Sequence, residues 1–151
     1  MAISAKEKEL IAVGVSVATG CKPCTDYHLK AGRMAGAADD EIGQAVADAL
    51  AVRRGATAIM ERHARAHLGE TGPETGSSPT EEANRIKTLT AIGAAFGVNC
   101  VASLEQHLAG AEAAGISHAE IATIVKLAAF IKRRAASHVE RLVTTDAEAA
   151  A

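Results

Sequence analysis

The segment Thr19 to His28, with the sequence T-G-C-K-P-C-T-D-Y-H, contains the residue types best suited to chemistry. Two thiols, Cys21 and Cys24, and the imidazole of His28 lie within eight positions. A C-x-x-C pair in a cytosolic chain is more typical of redox or metal chemistry than of a structural disulfide. The segment is therefore a candidate redox centre, one half of a metal site, or simply the start of a helix.

The spacing favours convergence of the three side chains. If a helix begins near Cys21, then Cys24 and His28 are four residues apart and share one helical face, with Cys21 at the amino end of that face. A helix amino terminus and a nearby imidazole can lower a cysteine pKa from about 8.5 to roughly 3.5–7.5. A second thiol three positions away can resolve a sulfenic acid or a mixed disulfide, so this pattern predicts a dithiol that a cellular reductant can recycle.

Helices must hold these side chains in place. The apolar pattern predicts a largely buried first helix from Ala5 to about Thr19, ended by Gly20, and a second from about Lys22 to Ala35, ended by Gly36. Asp39-Asp40-Glu41 opens a third helix, whose apolar face holds Ile42, Val46, Ala49 and Leu50. A more polar fourth helix is predicted from Ala56 to His67.

The second half of the chain repeats the first at an offset of 79 residues. From Leu10 to Arg62 against Leu89 to Arg141, 16 of 53 positions are identical, compared with roughly a tenth by chance. We predict a first repeat at residues 1–68, an exposed linker at 69–79 and a second, degenerate repeat at 80–151, packed as one domain about a pseudo-two-fold axis.

The two copies differ where the chemistry would occur. The second copy keeps Cys100 and His107, but Ser103 replaces the second cysteine and Thr88 stands at the position of Glu9. Only the first copy can therefore carry out dithiol chemistry. Cys100 is interpreted as a small core residue, and His107 as a remnant with a structural hydrogen bond.

Composition limits the fold class and the partners. Aliphatic residues are abundant, whereas Tyr27, Phe96 and Phe130 are the only aromatic residues, so an all-α fold of closely packed helices is predicted. A net charge of -2 without a basic stripe argues against nucleic acid as a partner. The polar N-terminus and the lack of a long apolar segment favour a cytoplasmic protein with no membrane partner.

The pattern E-(11 residues)-C-x-x-C-x-x-x-H, formed by Glu9, Cys21, Cys24 and His28, resembles the signature of the alkylhydroperoxidase D-like family. This family belongs to the carboxymuconolactone decarboxylase superfamily. The resemblance implies an all-helical fold and a homo-oligomer, with a trimer expected for duplicated chains. It covers most of the first half and, in degenerate form, the second.

The same resemblance implies roles for the four residues. Glu9 and His28 would relay a proton, through a water, to deprotonate Cys24, while Cys21 completes the disulfide and exchanges with a partner thiol. The activity would be reduction of a peroxide, or of another small-molecule substrate, or disulfide exchange with a partner protein or reductase, without a cofactor. Pro23 occupies the position where the alkylhydroperoxidase itself has a histidine, which is a departure from the family pattern.

Two other functions stay open. Cys21 and Cys24 together with His63 and His67, an H-x-x-x-H pair, have the ligand types of a four-coordinate zinc site, although the gap between the pairs is longer than in a zinc finger. The decarboxylase branch of the superfamily would share the fold and leave the thiol pair idle. His118 and His138 are predicted to lie near helix ends and carry no functional signal.

Overall fold

The computed structural model describes residues 2–70 and 85–149. These two ranges form six α-helices and contain no strand, which confirms the all-α fold. The helices are α1 (Ala5–Thr19), α2 (Lys22–Met34), α3 (Asp39–His67), α4 (Arg85–Gly97), α5 (Val101–Ala113) and α6 (His118–Ala149). None of the helices in these ranges has the length and apolar character needed to cross a bilayer.

Local signals set the ends of α1 and α2 where the sequence predicts them. A capping box between Ser4 and Glu7 opens α1, and Gly20 closes it in the left-handed conformation, with φ 72°. Cys21 is the N-cap of α2, and Pro23 lies in the first turn, where a proline costs no hydrogen bond. The tight junction at Gly20 lets α2 fold back along α1.

One predicted boundary is wrong, because α3 is a single helix from Asp39 to His67 and not two. Gly55 weakens a helix by about 1 kcal/mol but does not break it. The buried stripe also continues across the expected gap with the spacing 3, 4, 3, 4, so the packing against the core is uninterrupted. Its members are Ile42, Ala45, Ala49, Val52 and Ala56.

Several features recur at the 79-residue offset. Helices α5 and α6 begin 79 residues after α2 and α3, and Gly36 and Gly115 both have positive φ, at 86° and 69°. An ion pair joins Lys6 to Glu41, and an equivalent pair joins Arg85 to Glu120. These correspondences support the proposed duplication, while the pseudo-two-fold axis stays a prediction. Apart from Gly69 and Glu70, the predicted linker lies outside the described residues.

Helices α1 and α4 form the centre of the core and approach each other at two glycines. A Cβ at Gly14 would lie 2.5 Å from Thr90 Cγ2, and one at Gly93 would lie 2.6 Å from Val15 Cγ2. Leu10, Ile11 and Leu89 are fully buried around this crossing. Because one face of α1 is packed against α4 in this way, the orientation of α1 is fixed. The face that carries Glu9 then lies against α2.

Substitution of Gly14 tests this crossing. We expect Gly14→Ala to lower the free energy of unfolding by about 1–3 kcal/mol, because the new methyl group overlaps the buried Thr90 side chain. Urea unfolding measures the change. The matched control is Gly43→Ala in α3, where a Cβ meets nothing within 4 Å and a gain of about 0.4–1 kcal/mol is expected.

A second substitution separates the clash from other causes. Thr90→Ala removes the methyl group that Gly14→Ala would strike, so the two changes should cost less together than the sum of each alone. Strictly additive losses in this pair would show that Gly14 is not the point of contact between α1 and α4.

Candidate active site

The turn between α1 and α2 brings the two thiols together. Cys21 is 4% exposed and Cys24 is 8% exposed, and their Cα atoms are 5.3 Å apart. The two sulfurs form a disulfide, and Cys21 Sγ accepts a hydrogen bond from the backbone N–H of Cys24 at 3.3 Å. The first turn of α2 therefore places both sulfurs at a helix amino terminus, where a thiolate is stabilised.

Glu9 and His28 are in direct contact across the α1–α2 interface. Glu9 Oε2 lies 2.8 Å from His28 Nδ1, and their side chains are 18% and 10% exposed. A carboxylate only accepts hydrogen bonds, so Nδ1 donates and the neutral ring keeps a lone pair on Nε2. His28 thus has the tautomer that a general base needs, and Cys24 lies one turn earlier on the same helix face.

A cavity of about 390 Å³ opens beside Cys24 and His28. Helices α2 and α6 form its walls, so the second half of the chain completes a site whose thiols belong to the first half. Its lining residues are Pro23, Cys24, Tyr27 and His28 from α2, and Phe130, Ile131, Arg134 and His138 from α6.

His138 is the site residue that sequence reasoning missed. It lies well inside α6, not near its end, and one of its ring nitrogens is within 4.8 Å of the sulfurs of both Cys21 and Cys24. The available signal was the spacing of Phe130, Arg134 and His138, which share one helix face at intervals of four. The 79-residue repeat could not reveal it, since the corresponding position is Ile59.

The predicted zinc set of Cys21, Cys24, His63 and His67 is not assembled in the described residues. His63 and His67 contact each other on α3, with ring centroids 4.7 Å apart, and the imidazole with a nitrogen within 4.8 Å of both cysteine sulfurs is that of His138. Arg141 also donates a hydrogen bond to His138 Nδ1 at 2.8 Å. A metal-bound Nε2 needs its Nδ1–H to meet an acceptor, whereas a guanidinium is only a donor, so this arrangement opposes metal ligation by His138.

The equivalent position in the second copy lacks the chemistry. Cys100 is buried and unpaired, Ser103 is buried at the position of Cys24, and Thr88 cannot replace Glu9. Burial lowers the pKa of His107, and no hydrogen bond to its side chain is found in the described part of the chain, contrary to the prediction. The proton-accepting pair is thus confined to the first copy.

The comparisons with known proteins give a family match for the first part of the chain. Residues 2–66, which include α1, α2 and nearly all of α3, match the sequence model of the carboxymuconolactone decarboxylase family. No curated protein and no solved structure gives a significant match. The matched range contains Glu9, both cysteines of the C-x-x-C pair and His28. Residues 2–66 of this chain are therefore similar to the carboxymuconolactone decarboxylase family.

Proposed function

We propose that the protein is a thiol-dependent peroxidase that reduces a hydroperoxide with its Cys21–Cys24 dithiol. The observation that carries the proposal is the adjacency of three features, namely a pair of cysteines able to form a disulfide, a Glu9–His28 hydrogen bond and a cavity that reaches Cys24. Each feature meets one requirement of peroxide reduction, which needs an electron pair, a base and access for the substrate.

Cys24 is the proposed nucleophile because it lines the cavity, whereas Cys21 does not. His28 Nε2 accepts the Cys24 proton, either directly or through a water, and Glu9 stabilises the resulting imidazolium. The thiolate attacks the terminal peroxide oxygen, the O–O bond breaks, and the leaving alkoxide takes a proton to become an alcohol. Cys24 is then a sulfenic acid.

Cys21 completes the turnover. Its thiol attacks the Cys24 sulfur, the S–O bond breaks, and the oxygen leaves as water with the second proton. The products are one alcohol, one water and the Cys21–Cys24 disulfide, and the dithiol has lost two electrons. A dithiol protein or reductase is the proposed donor that reopens the disulfide by thiol exchange.

Two features favour redox chemistry over the alternatives. A lactone decarboxylase has no step that uses a disulfide-forming pair. The predicted zinc site would require His63 and His67, which are not grouped with the cysteines in the described residues, and the hydrogen bond from Arg141 opposes ligation by His138. Disulfide exchange with a protein partner uses the same residues but consumes no peroxide, so peroxide consumption distinguishes the two activities.

The test is a single turnover without any added reductant. Protein reduced beforehand and freed of reductant should consume one equivalent of an organic hydroperoxide and yield one Cys21–Cys24 disulfide, as measured by peroxide titration and intact-mass spectrometry. Protein whose thiols have been alkylated is the control. Loss of two thiols without matching consumption of peroxide would exclude peroxidase activity and leave disulfide exchange.

A further inference from the structure

We propose that the cavity beside Cys24 binds an organic hydroperoxide that carries a carboxylate, and that Arg134 recognises this carboxylate. The proposal deepens the proposed function and rests on it for the reactive group of the substrate. It assigns a substrate class to the site and a specificity-determining role to a helix of the second half.

The aromatic residues are the first observation. The chain has only three, and two of them, Tyr27 and Phe130, line this cavity. Both are exposed, at 66% and 52%, although burial of an aromatic side chain is strongly favourable. The two residues are more than 100 positions apart in sequence, on α2 and α6, and line one opening. They form an apolar rim that can cover the hydrocarbon part of a small molecule.

The charge of the cavity is the second observation. No carboxylate is among its lining residues, whereas Arg134 and His138 both are. Among the side chains of residues 2–70 and 85–144, the Arg134 guanidinium has no ion-pair or hydrogen-bond partner. A guanidinium beside an apolar rim favours a planar oxyanion, which it can bind through two parallel hydrogen bonds.

Helix geometry relates the charge to the reactive sulfurs. His138 lies within 4.8 Å of both sulfurs, and Arg134 precedes it by one turn, which is about 6 Å along α6. Phe130 lies a further turn away. A ligand held between α2 and α6 can therefore place a peroxide at Cys24 and a carboxylate at Arg134. A volume of about 390 Å³ suits a small organic molecule of this kind.

The same face of the first copy has none of these groups. The residues that correspond to Phe130, Arg134 and His138 are Ala51, Gly55 and Ile59. The first half has kept the dithiol, and the second half has the large and charged side chains that line the cavity beside it. This division is expected if α6 serves as the substrate-binding wall of a site whose reactive groups lie on α1 and α2.

A matched pair of substrates tests the assignment. The hydroperoxide of an aliphatic carboxylic acid is compared with the hydroperoxide of its methyl ester, which has the same chain without the charge. Arg134→Gln should lower kcat/KM for the acid about 10-fold and for the ester less than 2-fold, with Arg134→Lys in between. The control is Arg133→Gln, since Arg133 is the adjacent arginine of α6 and does not line the cavity.

A second measurement does not depend on peroxidase activity. The reduced protein is alkylated with iodoacetate or with iodoacetamide. Iodoacetate carries a carboxylate, whereas iodoacetamide carries a neutral amide in its place. We expect Arg134→Gln to lower the ratio of the iodoacetate rate to the iodoacetamide rate at least about 3-fold, and Arg133→Gln to leave it near the wild-type value. The two variants lose the same net charge, so the comparison isolates the position of the charge.

The outcomes separate this proposal from the proposed function. If the protein consumes no hydroperoxide but its alkylation ratio still depends on Arg134, then the anion site is supported and the peroxidase activity is excluded. Equal ratios for Arg134→Gln and Arg133→Gln, or equal losses on the acid and on the ester, would overturn the role of Arg134, whether or not peroxide is consumed.

Discussion

Cys24→Ser is expected to lower the rate of peroxide consumption by at least about 1,000-fold. A serine hydroxyl is not ionised at neutral pH and cannot be oxidised as a thiolate is, so the protein has no nucleophile for the peroxide. Stopped-flow peroxide consumption under single-turnover conditions measures the effect. Serine is nearly isosteric with cysteine, and the second copy already has Ser103 buried at the equivalent position, so the fold should persist.

Two further variants make this result specific. Cys21→Ser should keep one rapid turnover and stop with a Cys24 sulfenic acid, which a dimedone adduct would reveal by mass spectrometry. Cys100→Ser changes a buried, unpaired thiol of the second copy and should have wild-type activity. Two results for Cys24→Ser would reverse the assignment of nucleophile and resolving cysteine. One is full activity, and the other is a dimedone adduct on its Cys21.

The second large effect is expected from Glu9→Gln, through His28. The amide oxygen can still accept the hydrogen bond from His28 Nδ1, but it cannot stabilise the charge that the ring gains when it takes a proton. We expect the single-turnover rate to fall about 10–100-fold, less than the roughly 100–10,000-fold attributed to general acid–base catalysis, because the base itself, His28, is still present. Glu9 is a positioning residue in this scheme, since it acts through His28.

The pH profile distinguishes this role from a structural one. In Glu9→Gln the midpoint of the alkylation rate of the reduced protein, measured with iodoacetamide, should move to higher pH because the thiolate loses its charged partner. Glu7→Gln is the matched control, because Glu7 lies in the same helix and pairs with Arg85 away from the cysteines. An unchanged profile in Glu9→Gln would remove the carboxylate from the mechanism.

Much of the first copy could be predicted from sequence because its determinants are local. Gly20, the Cys21 N-cap and Pro23 act on neighbouring backbone groups, so the end of α1 and the start of α2 appear in the order of residues. The expected break in α3 failed for the opposite reason. Whether a helix continues through Gly55 depends on whether the residues beyond it are buried, and Ala56 is buried by contacts from elsewhere in the chain.

The Glu9–His28 contact depends partly on local signals and partly on helix packing. Only the family pattern predicts this contact, since no local rule places an acid of α1 beside an imidazole 19 residues later. The contact forms because the Gly20 junction folds α2 back along α1.

The amino-acid sequence alone determined the helical class, the repeat at 79 residues and the presence of a dithiol in one copy, since these follow from residue types and their spacing along one chain. Only the tertiary structure decided that Phe130, Arg134 and His138 stand beside that dithiol. Their placement depends on how α6 packs against the first half, and such packing arises from the summed burial of many side chains distant in sequence, which no short motif encodes.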